Sequence, residues 1–239
     1  MTELIYQTDS YMQSFDARVT GMDEENRGLV LSRTVFYPGG GGQPADSGTI
    51  KVGDQVYPVP RARSVDGQIL HLVDSSALLP PVGMPVIGQI DWERRYKLMR
   101  THTAMHILCG VIFRDYGASV TGGDMEPLKG RMDFEFETMQ KELVTEIEAA
   151  INREVEQARP VTARILPREE AFQIPDLIRT KINLLPQGIE QVRVVEIEGL
   201  DLQADGGTHV HNTSEVGQIR VVDYKSKGKI NKRIYIELV

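Results

Sequence analysis

The character of the chain changes within residues 91–117, which read DWERRYKLMRTHTAMHILCGVIFRDYG. Asp91 is a favourable N-cap residue, a helical pattern follows it, and Gly117 is a typical helix stop. The stretch therefore predicts a long α-helix from Asp91 to Tyr116. Because no helical periodicity longer than two turns precedes residue 91, we place a domain boundary near residue 90.

The residues before this helix have the pattern of a β-rich domain. Short alternating segments at 28–36, 49–52 and 68–73 are separated by Gly, Pro and Asp turns. A small barrel or a strongly twisted sheet is the economical interpretation of residues 1–90.

The residues after this helix combine helix and strand patterns. Thr138 is expected to cap a second long helix that ends at Pro160. Its expected inner face consists of Leu143, Ile147, Ala150, Ile151 and Val155. Short helical pieces are expected at 167–172 and 176–181, and strands at 131–136, 192–197, 218–224 and 233–238. Residues 91–239 are thus expected to form an α+β domain with helices packed on one face of an antiparallel sheet.

The composition is that of an ordinary globular protein. The 239 residues are 41% hydrophobic and 26% charged, which excludes a disordered or collagen-like chain. No apolar run is long enough to span a membrane. A single cysteine cannot form an internal disulfide, so the cytoplasm is the expected compartment. The net charge of −7 argues against a generic basic nucleic-acid binder but leaves room for local basic patches.

The histidine spacing is the most informative feature of the chain. His102 and His106 lie four residues apart, which places both rings on one face of the predicted helix. About a hundred residues later, Asp205 and His209 flank a Gly-Gly bend that can turn both side chains toward one point. Three imidazoles suit zinc, and the carboxylate could complete the ligand shell.

Other interpretations of these histidines remain open at this stage. Two histidines on a helix face are often ordinary packed side chains, and two histidines with one carboxylate could instead form an iron site. A zinc metalloprotease is excluded, because such a helix carries a glutamate after its first histidine and this chain has Thr103. The third histidine favours zinc over iron.

Three segments together resemble the AlaX family of alanyl-tRNA editing proteins, which are similar to the editing domain of alanyl-tRNA synthetase. They are His102-Thr-Ala-Met-His106, Asp205-Gly-Gly-Thr-His209 and the run FYPGGGGQ at residues 36–43. The resemblance covers nearly the whole chain and fits the medium-length form. It implies a small N-terminal β-barrel domain at residues 1–90 and an α+β editing domain at residues 91–239.

The resemblance implies a free-standing hydrolase that deacylates tRNA(Ala) wrongly charged with serine, with glycine as a second candidate. The family's zinc ligands carry over to His102, His106 and His209. The family's cysteine position holds Asp205, which either binds the metal through oxygen or leaves an open position and serves as a candidate base. Cys109 lies on the same helical stripe as the two histidines, and we expect it to be a buried packing residue.

The resemblance also implies substrate-binding residues in the N-terminal half. Thr34 is the candidate for recognising the serine hydroxyl, because an unpaired partner group disfavours alanine. The glycine-rich motif contributes Gly40, Gly41, Gly42 and Gln43, whose bare backbone would allow close approach of the substrate. The run lacks the Lys and Ser/Thr of a P-loop, so no ATP-dependent chemistry is expected.

Two basic clusters are candidates for contacting the acceptor end of tRNA(Ala). One contains Arg94, Arg95, Lys97 and Arg100, and the other contains Lys225, Lys227 and Lys229 in an expected hairpin. The main alternative function is a non-catalytic tRNA-binding module with a structural metal. An iron-dependent oxygenase is a weaker alternative.

Overall fold

The computed structural model describes residues 2–136, 140–180 and 188–239. The chain divides into two compact units, Met1–Tyr96 and Lys97–Val239. Sheets predominate and helices are few, which gives an α+β protein. No helix among the described residues is long and apolar enough to cross a membrane.

The first unit is built on one large antiparallel sheet. Its strands follow the order β6-β5-β9-β2-β3-β8-β7, and β1 pairs separately with β4 in parallel. The strands are β1 (Glu3–Leu4), β2 (Ser14–Asp23), β3 (Gly28–Leu31), β4 (Arg33–Thr34), β5 (Gly48–Val52), β6 (Gln55–Val59), β7 (Arg61–Val65), β8 (Gln68–Leu72) and β9 (Pro85–Ile90). A 3-10 turn at Ile5–Gln7 follows β1.

The expected barrel is not confirmed, because no strand ladder within residues 2–96 closes this sheet. β6 and β7 stand at its two edges. The long strand β2 explains the shape: it pairs with β9 over Ser14–Arg18 and with β3 over Val19–Asp23, with a bulge between Val19 and Gly21. A bulge bends a strand and increases its twist. The result is two strand groups joined along β2.

Over its described residues, the second unit forms two antiparallel sheets instead of the single one expected. Their orders are β10-β11-β16-β15 and β12-β13-β14. The strands are β10 (Val120–Glu126), β11 (Lys129–Glu135), β12 (Val161–Pro167), β13 (Gln191–Ile197), β14 (Asp201–Ala204), β15 (Ile219–Ser226) and β16 (Asn231–Leu238). The strands expected at 131–136, 192–197, 218–224 and 233–238 correspond to β11, β13, β15 and β16, whereas β10, β12 and β14 were not anticipated.

The predicted long helix is confirmed as α1 (Trp92–Tyr116). Asp91 Oδ1 accepts the backbone N–H of Arg94 at 3.1 Å, so the predicted N-cap is present. Gly117 has φ of +65° and donates its N–H to Phe113 O at 3.0 Å, which ends the helix.

The second long helix, α2 (Lys141–Glu156), is shorter than expected. Thr138, its expected cap, lies outside the described residues. The helix ends before Pro160 because Ala158 adopts a left-handed φ of +50°. Val144 is buried on the inner face, whereas Leu143 is only half-buried. Ile147, Ala150, Ile151 and Val155 are buried as expected.

The two short helical pieces have different outcomes. The one expected at 167–172 is present as α3 (Arg168–Ala171). The one expected at 176–181 is wrong over residues 176–180, which form a turn, irregular backbone and an isolated bridge at Thr180. Asp176 has φ of +53°, which is incompatible with a right-handed helix at that position. Residue 181 lies outside the described residues.

Candidate metal centre

Helix α1 carries two of the candidate ligands through the buried part of the second unit. Every residue from 101 to 112 is buried. Gly110 permits a close approach by β14, because a Cβ there would lie 2.9 Å from Leu200 Cγ and 3.2 Å from Asp201 Cβ. The glycine thus brings the start of β14 against the helix, one turn from His106.

Four side chains converge in this unit and could hold a metal ion. One ligand atom from each of His102, His106, Asp205 and His209 lies within 4.8 Å of all the others. The three histidines are buried, and the Asp205 side chain is 13% exposed. His209 Nε2 lies 2.9 Å from Asp205 Oδ2, and His102 Nε2 lies 3.5 Å from Asp205 Oδ1. The carboxylate therefore faces two of the three rings.

The Gly-Gly bend creates this convergence. Asp205 Oδ2 accepts the backbone N–H of Gly207 at 2.8 Å, which closes a turn directly after β14. Arg193, on β13, holds the start of the turn: its carbonyl accepts the Asp205 N–H at 3.0 Å, and its guanidinium donates to Asp205 O at 3.0 Å. Backbone and side-chain bonds therefore direct Asp205 and His209 toward α1.

Burial and neighbouring groups set the charges in the cluster. Burial lowers the pKa of His102 well below its ordinary value, with Asp205 opposing the shift, and lowers the pKa of His209 to about 4. Burial raises the pKa of Asp205, but the facing rings of His102 and His209 outweigh it and hold the pKa well below its ordinary range. Neutral imidazoles and an ionised carboxylate are the forms that bind metal ions.

His106 differs from the other two rings because a second carboxylate contacts it. Its Nδ1 lies 2.8 Å from Oδ2 of the buried Asp201. Burial lowers the pKa of His106, but the hydrogen bond and charge of Asp201 outweigh it, so the pKa lies above its ordinary value. The far nitrogen of His209 has a partner as well, since its Nδ1 lies 3.2 Å from Thr103 Oγ1.

Asp201 and Thr103 are site residues that the sequence patterns do not predict. Thr103 occupies the position that holds a glutamate in zinc metalloproteases. The sequence does contain one indication that Asp201 belongs to the site, because it is an acidic residue four positions before Asp205 and is followed by the apolar Leu202. Its contact with His106 nevertheless depends on how β14 packs against α1.

Two other candidates lie outside the cluster. Cys109 is buried, its Sγ accepts a hydrogen bond from Gln203 Nε2 at 3.3 Å, and burial raises the pKa of its thiol to about 12. It is a packing residue with little thiolate character. His211 is exposed, and residues 209–211 form no strand.

The glycine-rich motif forms a tight loop within the first unit. Gly39, Gly40, Gly41 and Gly42 have φ of +84°, +141°, +57° and +89°. Gly40 and Gln43 exchange two backbone hydrogen bonds of 3.0 and 2.9 Å, and Gln43 is buried. Four successive backbones in this region require glycine. The exposed backbone of the loop is at Gly40 and Gly41.

Thr34 is fully buried in the first unit and its hydroxyl is hydrogen-bonded there. Thr34 Oγ1 accepts the Phe36 N–H at 3.0 Å and lies 2.8 Å from His71 Nε2. His71 Nδ1 faces the carbonyl of Leu29 at 2.9 Å and must carry the ring proton. His71 Nε2 is therefore an acceptor, and the Thr34 hydroxyl donates to it.

The basic cluster at 94–100 is largely engaged in holding the fold. Arg95 is completely buried, and its guanidinium pairs with Asp46 and donates to Ser10 O and Val35 O. This placement does not fit the expectation that Arg95 contacts phosphate. Arg100 donates to Val216 O at 2.8 Å and to Val239 O at 3.2 Å. Arg94 and Lys97 are half-buried.

The C-terminal cations lie on and beside the expected hairpin of β15 and β16. Lys225, Lys227 and Lys229 are exposed, and Lys225 Nζ pairs with Asp223 at 2.8 Å. Lys232 is buried instead, with its ammonium bonded to Gly228 O and Lys229 O. Arg233 binds both carboxylate oxygens of Asp133. The turn between the strands therefore carries the most accessible positive charge of this cluster.

Two known protein families match separate parts of the chain. The family described as threonyl and alanyl tRNA synthetase second additional domain matches residues 192–235, which include Asp201, Asp205 and His209. The family described as tRNA synthetases class II (A) matches residues 6–94.

Full-length relatives are more informative than these partial matches. The alanyl-tRNA editing protein AlaX-M of Saccharolobus solfataricus is 41% identical, over 98% of each chain. The AlaX-M protein of Methanosarcina barkeri is 37% identical over the whole of both chains. The alanine–tRNA ligase of Ignicoccus hospitalis is 38% identical over 92% of this chain and 24% of its own length. Identity at this level along the entire length shows that the chain belongs to the AlaX-M family of alanyl-tRNA editing proteins.

Proposed function

We propose that this protein hydrolyses the ester bond of tRNA(Ala) that carries a wrong amino acid. Ser-tRNA(Ala) is the chief proposed substrate, and Gly-tRNA(Ala) is the second. The observation that carries the proposal is the buried cluster of three imidazoles and one carboxylate in a chain of the AlaX-M family. Acyl-ester hydrolysis requires an activated water and a stabilised oxyanion, and a metal centre is a known means of providing both.

The metal proposed for this cluster is zinc. Nitrogen and oxygen donors of this kind suit zinc, and three imidazoles distinguish the set from a site with two histidines and one carboxylate. The far nitrogens of His106 and His209 have partners outside the cluster, Asp201 and Thr103. The other nitrogen of His209 faces the Asp205 carboxylate at 2.9 Å, so a bound ion would take the place of that hydrogen bond. Bound zinc would supply a Lewis acid that lowers the pKa of water at an open position.

The chain's own residues have separate tasks in this proposal. His102, His106 and His209 hold the ion, and Asp205 is either the fourth ligand or the group that takes a proton from water. Burial of the rings excludes competing water and strengthens local electrostatics. Thr34 and the loop residues Gly40, Gly41, Gly42 and Gln43 are proposed to recognise the amino acid.

The proposed tRNA surface is smaller than the sequence analysis suggested. It consists of Lys225, Lys227 and Lys229, with Lys97 as a half-buried contributor. Arg94, Arg95 and Arg100 are omitted because their guanidinium groups are bound to protein carboxylate or carbonyl oxygens. Lysines at a turn suit phosphate contacts, which position a nucleic acid without reading its sequence.

One observation favours a second candidate function, a tRNA-binding module with a structural metal. His102 and His209 are each only 4% exposed, and closed, four-coordinate sites are typical of structural zinc. The two functions differ in one measurable respect, because only the enzyme turns over.

The proposal is tested by incubating Ser-tRNA(Ala) with substoichiometric zinc-loaded protein and following the remaining ester. We expect multiple turnovers, and a loss of about 100-fold or more after zinc is removed by a chelator, because metal catalysis supplies several kcal/mol. His102→Ala is expected to lose zinc and activity together. His211→Ala, which changes an exposed histidine, is the matched control and should retain both. Stable Ser-tRNA(Ala) in the presence of zinc-loaded protein would defeat the enzyme proposal and favour the binding module.

A further inference from the structure

The strongest feature that the proposed function leaves unused is the contact between Asp201 and His106. Asp201 is 3% exposed and begins β14. Its Oδ2 lies 2.8 Å from His106 Nδ1, on the side of the ring away from the nitrogen available for an ion. Since a carboxylate oxygen accepts this hydrogen bond, Nδ1 is a protonated nitrogen of the ring and Nε2 is the nitrogen left to face an ion.

Two further side chains hold Asp201 itself in place. Arg179 Nη1 lies 2.8 Å from Asp201 Oδ1, and Gln203 Nε2 donates to Asp201 Oδ2 at 2.8 Å. The Arg179 guanidinium lies 4.2 Å from the ring centroid of Phe113, and Gln203 also reaches the Cys109 sulfur at 3.3 Å. Arg179 and Gln203, which contact the Asp201 carboxylate, therefore also contact residues of α1, the helix that carries His106.

The backbone also favours this contact. Gly110 lets β14 approach α1 closely enough to place Asp201 opposite His106, since a Cβ at Gly110 would lie 3.2 Å from Asp201 Cβ. Glycine inside a helix is less favourable than alanine. A glycine at this position is thus consistent with a requirement for close approach.

We infer that Asp201 is a positioning residue of the metal centre, which fixes the tautomer and orientation of His106 so that Nε2 faces the ion. This inference rests on the metal binding in the proposed function. A carboxylate behind a ligating histidine also increases the basicity of the ring, and loss of such a partner typically weakens metal affinity 10- to 100-fold. Asp201 contacts His106 and not the group of four ligand atoms, so it acts through the histidine.

The inference is tested first by zinc affinity, measured by competition with a chromogenic chelator. Asp201→Asn should bind zinc about 10- to 100-fold more weakly than the unchanged protein. Asp133→Asn is the matched control, because Asp133 is also a buried aspartate paired with an arginine but contacts Arg233 and no ligand. The control should keep the zinc affinity. Equal affinities of Asp201→Asn and the unchanged protein would overturn the inference, and so would a failure of the unchanged protein to bind zinc.

A second measurement needs no variant and is independent of activity. The 15N NMR signals of His106 in the zinc-loaded protein should show a protonated Nδ1 and a metal-bound Nε2. A metal-bound Nδ1 would overturn the inference even if Asp201→Asn fails to fold. The deacylation assay separates the two proposals: zinc-binding protein with the expected His106 signals but no turnover defeats the enzyme and leaves the role of Asp201 intact.

Discussion

At the scale of single residues, Asp205 is the proposed ligand that distinguishes the candidate metal centre. It stands where the resemblance to AlaX proteins implies a cysteine. Its carboxylate faces the His102 and His209 rings and is fixed by the Gly207 N–H. An oxygen donor in place of a thiolate makes the donor set harder, and harder donors favour different metal ions.

We predict that Asp205→Ala weakens zinc affinity by at least about 10-fold, because it removes a proposed ligand and not merely a partner of one. Asp205→Cys is the control, since a thiolate can replace the carboxylate as ligand. Titration with a competing chelator measures both variants. If Asp205→Ala binds zinc as tightly as the unchanged protein, the three histidines hold the ion without Asp205.

Thr34 is the residue whose substitution is predicted to change the selectivity between Ser-tRNA(Ala) and Ala-tRNA(Ala). Thr34→Val removes the hydroxyl and keeps a similar volume, so we expect a lower ratio of Ser-tRNA(Ala) to Ala-tRNA(Ala) hydrolysis rates. The variant also leaves His71 Nε2 without its donor, which typically costs about 1–3 kcal/mol of stability. Hydrolysis rates with both substrates, measured below the melting temperature of the variant, test the prediction. An unchanged ratio would assign Thr34 to the fold alone.

At the scale of elements, the ends of helix α1 are set by local capping residues, whereas its middle is set by tertiary packing. Its ends agree with the sequence because Asp91 and Gly117 act locally. Its middle does not have the polar face of a surface helix, because residues 101–112 are buried on all sides. Gly110 is explained only by the neighbouring segment, which approaches within 2.9 Å of where a Cβ would stand.

This packing predicts an effect opposite to ordinary helix propensity. Gly110→Ala should destabilise the protein by about 1–3 kcal/mol, because the added methyl group meets Leu200 and Asp201. Ala149→Gly, at an exposed position of α2, is the control and should destabilise by up to about 1 kcal/mol through propensity alone. Urea unfolding measures both. A Gly110→Ala variant more stable than the unchanged protein would contradict this prediction and show that β14 can shift to make room for the methyl group.

The glycine-rich loop is a second element whose role depends on its anchors. Tyr37 and Asp46 close its base: the Tyr37 N–H donates to Asp46 Oδ2 at 2.6 Å, and the Asp46 N–H donates to Tyr37 O at 3.0 Å. The Arg95 guanidinium pairs with the same carboxylate. Arg95 therefore stabilises the loop from beneath, which explains why a basic residue in a cationic run proves to be buried.

At the scale of the whole molecule, buried neutral histidines couple stability to pH. Burial lowers the pKa of His71 and of His209 to about 4. An unfolded histidine has a pKa near 6.5, so between pH 6.5 and 4 the unfolded chain binds more protons than the folded one. The free energy of unfolding should therefore fall as the pH drops through this window. The pKa of His106 is raised above 6.5, so its contribution to the free energy of unfolding is present below pH 6.5 and is lost as the pH rises above that value.

We predict a slope of up to about 1.4 kcal/mol per pH unit for each such histidine between pH 6.5 and 4. Urea unfolding in the presence of a chelator, at several pH values from 4 to 7.5, measures it. His71→Leu should be less stable at neutral pH but should lose less stability on acidification. An equal slope in this variant would contradict the assignment of a buried neutral His71.

Sequence patterns anticipated the elements whose signals are local. The caps of α1, the alternating strands β11, β13, β15 and β16, and the short helix α3 follow from neighbouring residues. Strands β10, β12 and β14 lie outside the predicted strands. β12 pairs with β13, which is distant in the sequence, and β14 pairs with β13 as well. Such pairing defines a strand more strongly than its own alternation of apolar and polar residues. The helix expected at 176–181 failed because Asp176 takes a left-handed conformation that its residue type permits but does not require.

The sequence by itself determined which residues are candidates for the metal centre, because the spacing of His102 and His106 on a helix and the Gly-Gly bend before His209 are local constraints. Only the tertiary structure decided how they are used. It placed Asp205 between two rings, put Asp201 behind His106, and buried Arg95 in an ion pair. The physical reason is that the contacts of Asp205 with His102, of Asp201 with His106 and of Arg95 with Asp46 join residues from about 50 to about 100 positions apart in the chain. Such pairs are set by packing that no local pattern records.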